Sequence, residues 1–233
     1  MRHRTIRTIR ILSGSGLALF MAGCCSMNQL QGQKFDQRTA SSHLVPPPPA
    51  QVFSDGWVDT DFHNPIQAVL NIGTGIAHEI EMSRTRAKMD SAMGMVDIPA
   101  ILEDETLERG AKTFGFRAVD ETRDADFTFD IEIEKYGIQA KSWTSGVDFT
   151  MEVKVALIEN AKHRQVWRRC FDEEIAVSSD LFGLPGAANN VITMVSLSRL
   201  TADEIADGLE KLAVRTSDRI ITRLREDFSE KNR

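Results

Sequence analysis

Two stretches of the chain alternate strictly between apolar and polar residues. In the first, Phe127, Phe129, Ile131 and Ile133 are separated by polar residues, and a second alternation runs over 147–157. A period of two predicts strands with one dry and one solvated face, which is typical of antiparallel sheets. Residues 140–146 are predicted to connect the two strands as a hairpin. A third strand is predicted over 165–177, and a short strand over 116–119 precedes all three.

Helical spacing dominates on both sides of these strands. A helix is predicted over 99–114, ending at Gly115, and a longer one begins after Thr201, which forms a capping box with Glu204. Residues 64–97 also carry apolar positions at near-helical intervals. We therefore predict an α+β fold, in which a two-layer antiparallel sheet of three to four strands has helices packed on one face. This domain covers 99–233, and 53–98 form an N-terminal helical extension.

The N-terminus has the features of an export signal. Basic residues 1–10 precede an apolar stretch over 11–22, which is too short to span a bilayer, since that takes roughly 20 apolar residues. The stretch ends in Met21-Ala22-Gly23-Cys24, which resembles the bacterial lipobox. We predict a signal peptide over 1–23 and lipid attachment to the Cys24 thiol. Cys25, rather than Asp, follows the lipobox, and this favours the periplasmic face of the outer membrane.

Residues 24–52 are rich in Gln, Ser and Asn and contain four consecutive prolines at 46–49. Because such a composition offers little apolar surface to bury, we predict that the lipidated cysteine is followed by a flexible tether.

Charge and cysteine content narrow the function classes. The chain has a net charge of −6, and removal of residues 1–23 leaves 24 basic against 34 acidic residues, a charge of −10. An acidic protein is a poor candidate for binding nucleic acid. Three cysteines are too few for a disulfide framework, so the fold is expected to depend on packing alone.

No residue pattern predicts catalysis, a cofactor or a metal. His78-Glu79 would need a second histidine at position 82 for a zinc-binding helix, where Met82 stands, and Gly73-Thr74-Gly75 lacks the third glycine of a dinucleotide loop. Cys170 is interpreted as a structural strand residue.

Two apolar features are candidates for partner contact. Trp143 lies at the predicted hairpin tip, and Leu181, Phe182 and Leu184 lie in a loop that also contains Gly and Pro. Exposed apolar groups of this kind mark interaction surfaces, although both segments folding back over the core is an equal alternative.

The strand opening Ala125-Asp126-Phe127, the Val166-Trp167 pair and the final helix over 202–224 are together similar to the ABC-type transport auxiliary lipoproteins. The resemblance implies an envelope partner of a lipid-trafficking transporter. We expect a non-enzymatic lipoprotein that is held to the membrane through Cys24 and binds an envelope protein. A carrier of a lipid or hydrophobic ligand is the second interpretation, and an enzyme is the third.

Overall fold

The computed structural model describes residues 25–54, 80, 83–140, 146–178 and 200–232. Seven strands form one mixed sheet: β1 (Ser26–Asn28), β2 (Thr39–Leu44), β3 (Gln51–Ser54), β4 (Arg117–Ala118), β5 (Phe127–Ala140), β6 (Val147–Glu159) and β7 (Arg164–Ala176). Three helical segments accompany it: α1 (residues 83–93), α2 (Ile98–Phe114) and α3 (Ala202–Lys231). The α+β class is confirmed.

The centre of the sheet is the antiparallel run β5–β6–β7, as the period-two pattern predicted. Two further strands lie parallel to β5 on its other side, where β2 pairs with its first half and β3 with its second. The sheet order is β1-β7-β6-β5-β2-β4. The sheet is therefore mixed and seven-stranded, and the predicted three to four antiparallel strands are only its core.

Strand β3 approaches β5 closely at Gly137, which has a φ of 145°. A Cβ at this position would lie 1.9 Å from the carbonyl oxygen of Gln51. Only glycine combines this backbone conformation with the space that β3 occupies.

The predicted flexible tether over 24–52 is wrong for the described residues, because this segment supplies β1, β2 and part of β3. The polar side chains of β2 are satisfied by matching polar side chains of β5. The buried Ser41 hydroxyl lies 3.2 Å from that of Thr128, and His43 Nδ1 lies 2.7 Å from Asp130 Oδ1. Since the Ser41–Thr128 hydrogen bond replaces bonds to water, this polar pair is buried at little cost, whereas the His43–Asp130 pair stays exposed to solvent.

The same segment also fills part of the apolar core. Leu30 and Phe35 are buried, and the ring of Phe35 packs edge-to-face against Phe114 and Phe127, with centroids 5.2 and 5.0 Å away. An aromatic cluster of this kind stabilises the fold through both buried area and ring geometry. The chain after Cys25 is thus part of the folded domain.

The predicted end of α2 and the predicted start of α3 are confirmed, whereas α2 begins one residue earlier than predicted and α3 continues to Lys231, beyond the predicted range of 202–224. The side chain of Asp97 caps α2 by accepting from the Ala100 amide, and Gly115 ends the helix in the left-handed conformation. Thr201 and Glu204 form the expected capping box at the start of α3. Helix α3 packs so closely on β6 that a Cβ at Gly208 would lie 2.1 Å from the Phe149 ring.

The layer between the sheet and these helices is filled by apolar side chains. The fully buried ones include Phe129, Phe149, Trp167, Leu209 and Leu212. In the part of the chain that the structure describes, no helix is both long enough and apolar enough to cross a bilayer.

Candidate membrane-anchor site

Most of the side chains singled out from the sequence lie outside the described residues. These are the lipidation site Cys24, the contact candidates Trp143, Leu181, Phe182 and Leu184, and the rejected motifs at 73–75 and His78. Their assignments stay predictions. Cys170 and the residue that follows the lipobox, Cys25, are both described, and they define the site.

Cys25 and Cys170 form a disulfide across 145 residues of sequence, with their Cα atoms 5.3 Å apart. The bond continues the β1–β7 ladder by one rung, because Ser26 is paired with Arg169 in the antiparallel register. The Cα separation lies in the usual range for a disulfide. The expectation of a fold without covalent links is therefore wrong, and Cys170 is a cross-linked strand residue.

Several polar contacts fix β1 beside the disulfide. The Ser26 hydroxyl bonds to the Arg169 guanidinium, and the Asn28 side-chain amide donates to the backbone carbonyl of Asp227 at 3.0 Å. The Gln29 amide donates to the carbonyl of Val166 at 2.8 Å. Cys25 is therefore held to β7 and to the C-terminal part of α3 by backbone and side-chain contacts as well as by the disulfide.

A buried carboxylate organises this corner of the domain. The Asp227 side chain is only 1% exposed, and its Oδ2 accepts from Trp167 Nε1 and from Arg169 Nε, each at 2.8 Å. The guanidinium of Arg223 lies 3.3 Å from Oδ1. A buried charge is tolerated only when it is paired and hydrogen-bonded, so Asp227 joins β7 to α3 as an ionic hub.

A second buried carboxylate lies on β7 itself, four residues after Arg169. Glu173 is buried, and Arg219 Nε donates to it at 3.0 Å, while Arg215 Nε lies 3.6 Å away. Arg215, Arg219 and Arg223 repeat at every fourth position, which places them on one side of α3. The side chains of Arg219 and Arg223 remain 64% and 48% exposed.

These arginines border a surface groove next to the disulfide. The groove has a volume of about 440 Å³ and is lined by Arg169, Cys170 and Phe171 of β7, and by Arg219, Thr222, Arg223 and Glu226 of α3. The three arginines of the groove are matched by three carboxylates: Arg169 and Arg223 pair with Asp227, Arg219 pairs with Glu173, and Arg223 also lies 3.2 Å from Glu226. The groove therefore carries no excess of positive charge.

Two acidic groups elsewhere have perturbed ionisation with structural causes. The backbone amide of Thr39 donates to Asp126 Oδ2 at 2.9 Å and holds the pKa of Asp126 below its usual value. A hydrogen bond from Lys162 lowers the pKa of Glu159 in the same direction. Both stay ionised near neutral pH, where they link neighbouring segments through these contacts.

The strand carboxylates of β5 behave as a solvated face. Asp130 pairs with His43, and Glu134 pairs with Lys154. Among the described residues, no group of three or more His, Cys, Asp or Glu side chains is arranged to hold a metal.

The sequence contains one signal that predicts the disulfide. An exported chain with a cysteine beside the lipobox and one further cysteine offers a single possible pair in an oxidising compartment. The ionic hub had no comparable signal, because Asp227 is an ordinary acidic residue in a charged helix.

No protein-family profile matches the chain, and no curated protein matches it. Solved structures to which the chain is similar include a DUF330-family protein from Xanthomonas campestris, with 12% identity and a TM-score of 0.44 over 88% of this chain and 90% of that one. The PelC dodecamer subunit from Paraburkholderia phytofirmans has 10% identity and a TM-score of 0.30 over 79% and 92%. Lipoprotein GNA1162 from Neisseria meningitidis has 14% identity and a TM-score of 0.22 over 63% and 91%. At these scores the similarities assign no family to this chain.

Proposed function

We propose that this protein is a bacterial envelope lipoprotein, anchored by lipid on Cys24, whose domain acts without catalysis as a binding component of an envelope machine. The Cys25–Cys170 disulfide is the observation that carries the proposal. Disulfides persist in the periplasm and are rare in the cytosol. The bond therefore supports export, and it involves the residue directly after the lipobox cysteine.

A binding role is supported by how the domain is packed. Apolar side chains fill the described space between the sheet and the helices, and Gly208 allows α3 to lie directly on Phe149. A carrier needs a preformed apolar pocket for its cargo. The packed core therefore favours a protein that presents surfaces to partners over one that encloses a ligand.

The finer assignments follow from the sequence. The pattern around Asp126 and Trp167 that resembles the transport auxiliary lipoproteins leads us to propose a machine that moves lipid or envelope polymer. Cys25 at the position after Cys24 leads us to propose the outer membrane. Trp143 and the apolar residues Leu181, Phe182 and Leu184 are proposed as the contacts with the partner protein.

The anchor is tested by expressing the full chain in a Gram-negative host and measuring the mass of the mature N-terminus. We expect cleavage before Cys24 and a diacylglyceryl group on its sulfur, with acyl chains that hold the protein to the membrane almost irreversibly. Cys24→Ser should remain an uncleaved precursor. An unmodified Cys24 in membrane-extracted material would refute the proposal.

The partner is tested by purifying the lipidated protein from membranes after cross-linking. We expect an envelope protein to co-purify, and expect Trp143→Ala or Phe182→Ala to reduce its recovery while thermal unfolding stays unchanged. Recovery of monomer with a bound lipid or hydrophobic ligand in equal amount would replace the binding role with that of a carrier.

A further inference from the structure

A bulge in β7 makes two polar side chains of this strand neighbours on the outer face of the sheet, which is the face opposite α3. Trp167 faces α3, since its indole donates to a carboxylate of that helix, so the next residue, Arg168, lies on the outer face. The register places Arg168 beside Ala156 and, across the bulge, Gln165 beside Ile158. Because Ala156 and Ile158 are two residues apart on β6, the Cα atoms of Arg168 and Gln165 are about 7 Å apart.

Arg168 differs from the other partly buried arginines in its ion pairing. Three arginines are partly buried in the described parts of the chain. Arg109 pairs with carboxylates of both long helices, and Arg169 pairs with Asp227. Among the described residues, no carboxylate lies within ion-pair distance of Arg168. A guanidinium stays charged at every relevant pH, so a positive charge is left on β7 that these residues do not neutralise.

Arg168 and Gln165 also hold hydrogen-bond donors that the domain does not use. Arg168 Nε and Gln165 Nε2 are shielded from solvent, and within the described structure neither has an acceptor. Buried donors in folded proteins are nearly always paired, since each unpaired one lowers stability. The terminal nitrogens of Arg168 are not shielded in this way, so its guanidinium can be approached from solution. Two unused donors side by side are suited to an acceptor that comes from outside the chain.

The charged groups around Arg168 leave its charge unmatched locally. Lys154, on the adjacent strand β6, is itself matched by Glu134. Three carboxylates of the outer face lie farther away: Asp130, Glu132 and Asp172. The first two belong to β5, which is two strand spacings, or about 10 Å, from β7. The third lies four residues along β7, about 13 Å from Arg168. The site therefore carries one positive charge.

Apolar side chains border the two donors and remain partly exposed. Met27 of β1 is paired with Arg168 on one side, and Ala156 and Ile158 of β6 lie on the other side. A carboxylate brings one negative charge, which equals the charge of the site, whereas a phosphate brings up to two. The apolar border also fits the methylene groups of an acidic side chain. Charge and surroundings therefore favour a protein carboxylate as the occupant.

We propose that Arg168 and Gln165 form a docking site for an acidic side chain of a partner protein, on the outer face of the sheet beside β1. The proposal rests on the binding role proposed above and names the chemistry by which the partner is recognised. The guanidinium of Arg168 binds the carboxylate through paired N–H donors, and Gln165 turns its unused amide donor to the same group. Met27 and Ile158 shield these hydrogen bonds from water.

The experiment uses the full-length lipoprotein, purified from membranes in detergent, and two synthetic peptides that each carry the photo-crosslinking residue p-benzoylphenylalanine. The first peptide is rich in glutamate, and the matched control peptide has glutamine at the same positions. After irradiation, mass spectrometry locates the adducts. We expect the glutamate peptide to label Met27, Ala156 and Ile158 about tenfold more than the glutamine peptide does, because a hydrogen bond to a charged group is stronger than one between neutral groups.

Two charge variants locate the contact. Arg168→Gln should reduce labelling by the glutamate peptide about tenfold, to the level of the glutamine peptide. Arg117→Gln is the matched control, because Arg117 is exposed, has no ion pair among the described residues and lies on β4 at the opposite edge of the sheet. It should leave the labelling unchanged. Thermal unfolding should show an unchanged Tm for both variants, since neither guanidinium has a partner in the described part of the domain.

The outcomes separate this proposal from the proposed function. Equal labelling by the two peptides, or labelling that Arg168→Gln leaves unchanged, refutes the carboxylate site alone. Inorganic phosphate that displaces the glutamate peptide at a lower concentration than free glutamate does would also overturn it, because the site would then be a phosphate site. An unmodified Cys24 refutes the lipid anchor, and the labelling beside Arg168 does not depend on that result.

Discussion

Replacement of the buried carboxylate by an amide, Asp227→Asn, should destabilise the domain more than any other single charge change on α3. The variant keeps the shape of the side chain but removes the negative charge that lies 2.8 Å from Arg169 Nε. Arg169 is only 14% exposed, so its guanidinium would remain largely desolvated without a counter-ion. Breaking a buried pair in this way costs about 3–5 kcal/mol.

The expected loss lies at the lower end of that range. The amide oxygen of Asn can still accept the hydrogen bond from Trp167 Nε1, which retains about 1 kcal/mol. A loss of about 3 kcal/mol corresponds to a decrease in Tm of roughly 6–12 °C for a domain of this size. Urea unfolding gives the free energy difference and calorimetry gives the Tm shift.

Asp207→Asn is the matched control, because Asp207 is exposed on the same helix and pairs only with Lys211 at i+4 among the contacts described. An exposed pair of this kind contributes about 0.3–0.5 kcal/mol. Arg169→Gln should also reduce the effect of Asp227→Asn, since the cation that needs the charge is then gone. Equal small losses for both aspartates, or no coupling to Arg169, would show that the hub does not stabilise the domain.

Three further predictions concern other parts of the fold. Gly208→Ala should lower the free energy of unfolding, measured with a chemical denaturant, by up to about 2 kcal/mol. Overpacking against Phe149 costs about 1–3 kcal/mol, and the better helix propensity of Ala offsets about 1 kcal/mol of this. An increase in stability would contradict the close approach of α3 to the sheet. Cys170→Ser should lower the free energy of unfolding by at most about 5 kcal/mol, which is the entropic limit for a loop of 145 residues. Reductant should have no further effect on this variant. Equal stability of the variant and the unchanged protein would argue against the bond with Cys25. Because the pKa of Asp126 is lowered in the folded protein, its carboxylate stabilises the domain above pH about 4, and this stabilisation is lost as the pH falls through the folded pKa. Asp126→Asn should therefore show a shallower decrease in Tm between pH 5 and pH 2 than the unchanged protein. Identical pH profiles of the two proteins would show that Asp126 makes no such contribution.

Much of the central fold is encoded locally, and these parts were predicted correctly. The alternation of apolar and polar residues around Phe129 and along β6 predicts half-buried antiparallel strands, because the apolar positions of each strand show which of its faces is buried. The capping box of Thr201 and Glu204 and the stop at Gly115 mark helix ends through contacts within one turn. Such signals need no knowledge of the rest of the chain.

Only the tertiary structure decided the role of the segment that follows Cys25. The polar composition of this segment predicts a solvated tether, yet Ser41 is buried against Thr128, 87 residues away. The sequence of neither strand predicts this parallel pairing. The disulfide with Cys170 and the hub at Asp227 likewise depend on distant residues that the fold brings together. The sequence by itself determined the α+β class, and it predicts an export signal that ends in a lipobox. The place of residues 25–54 in the sheet was decided by long-range pairing, because a polar residue can be buried wherever a distant partner satisfies its hydrogen bonds.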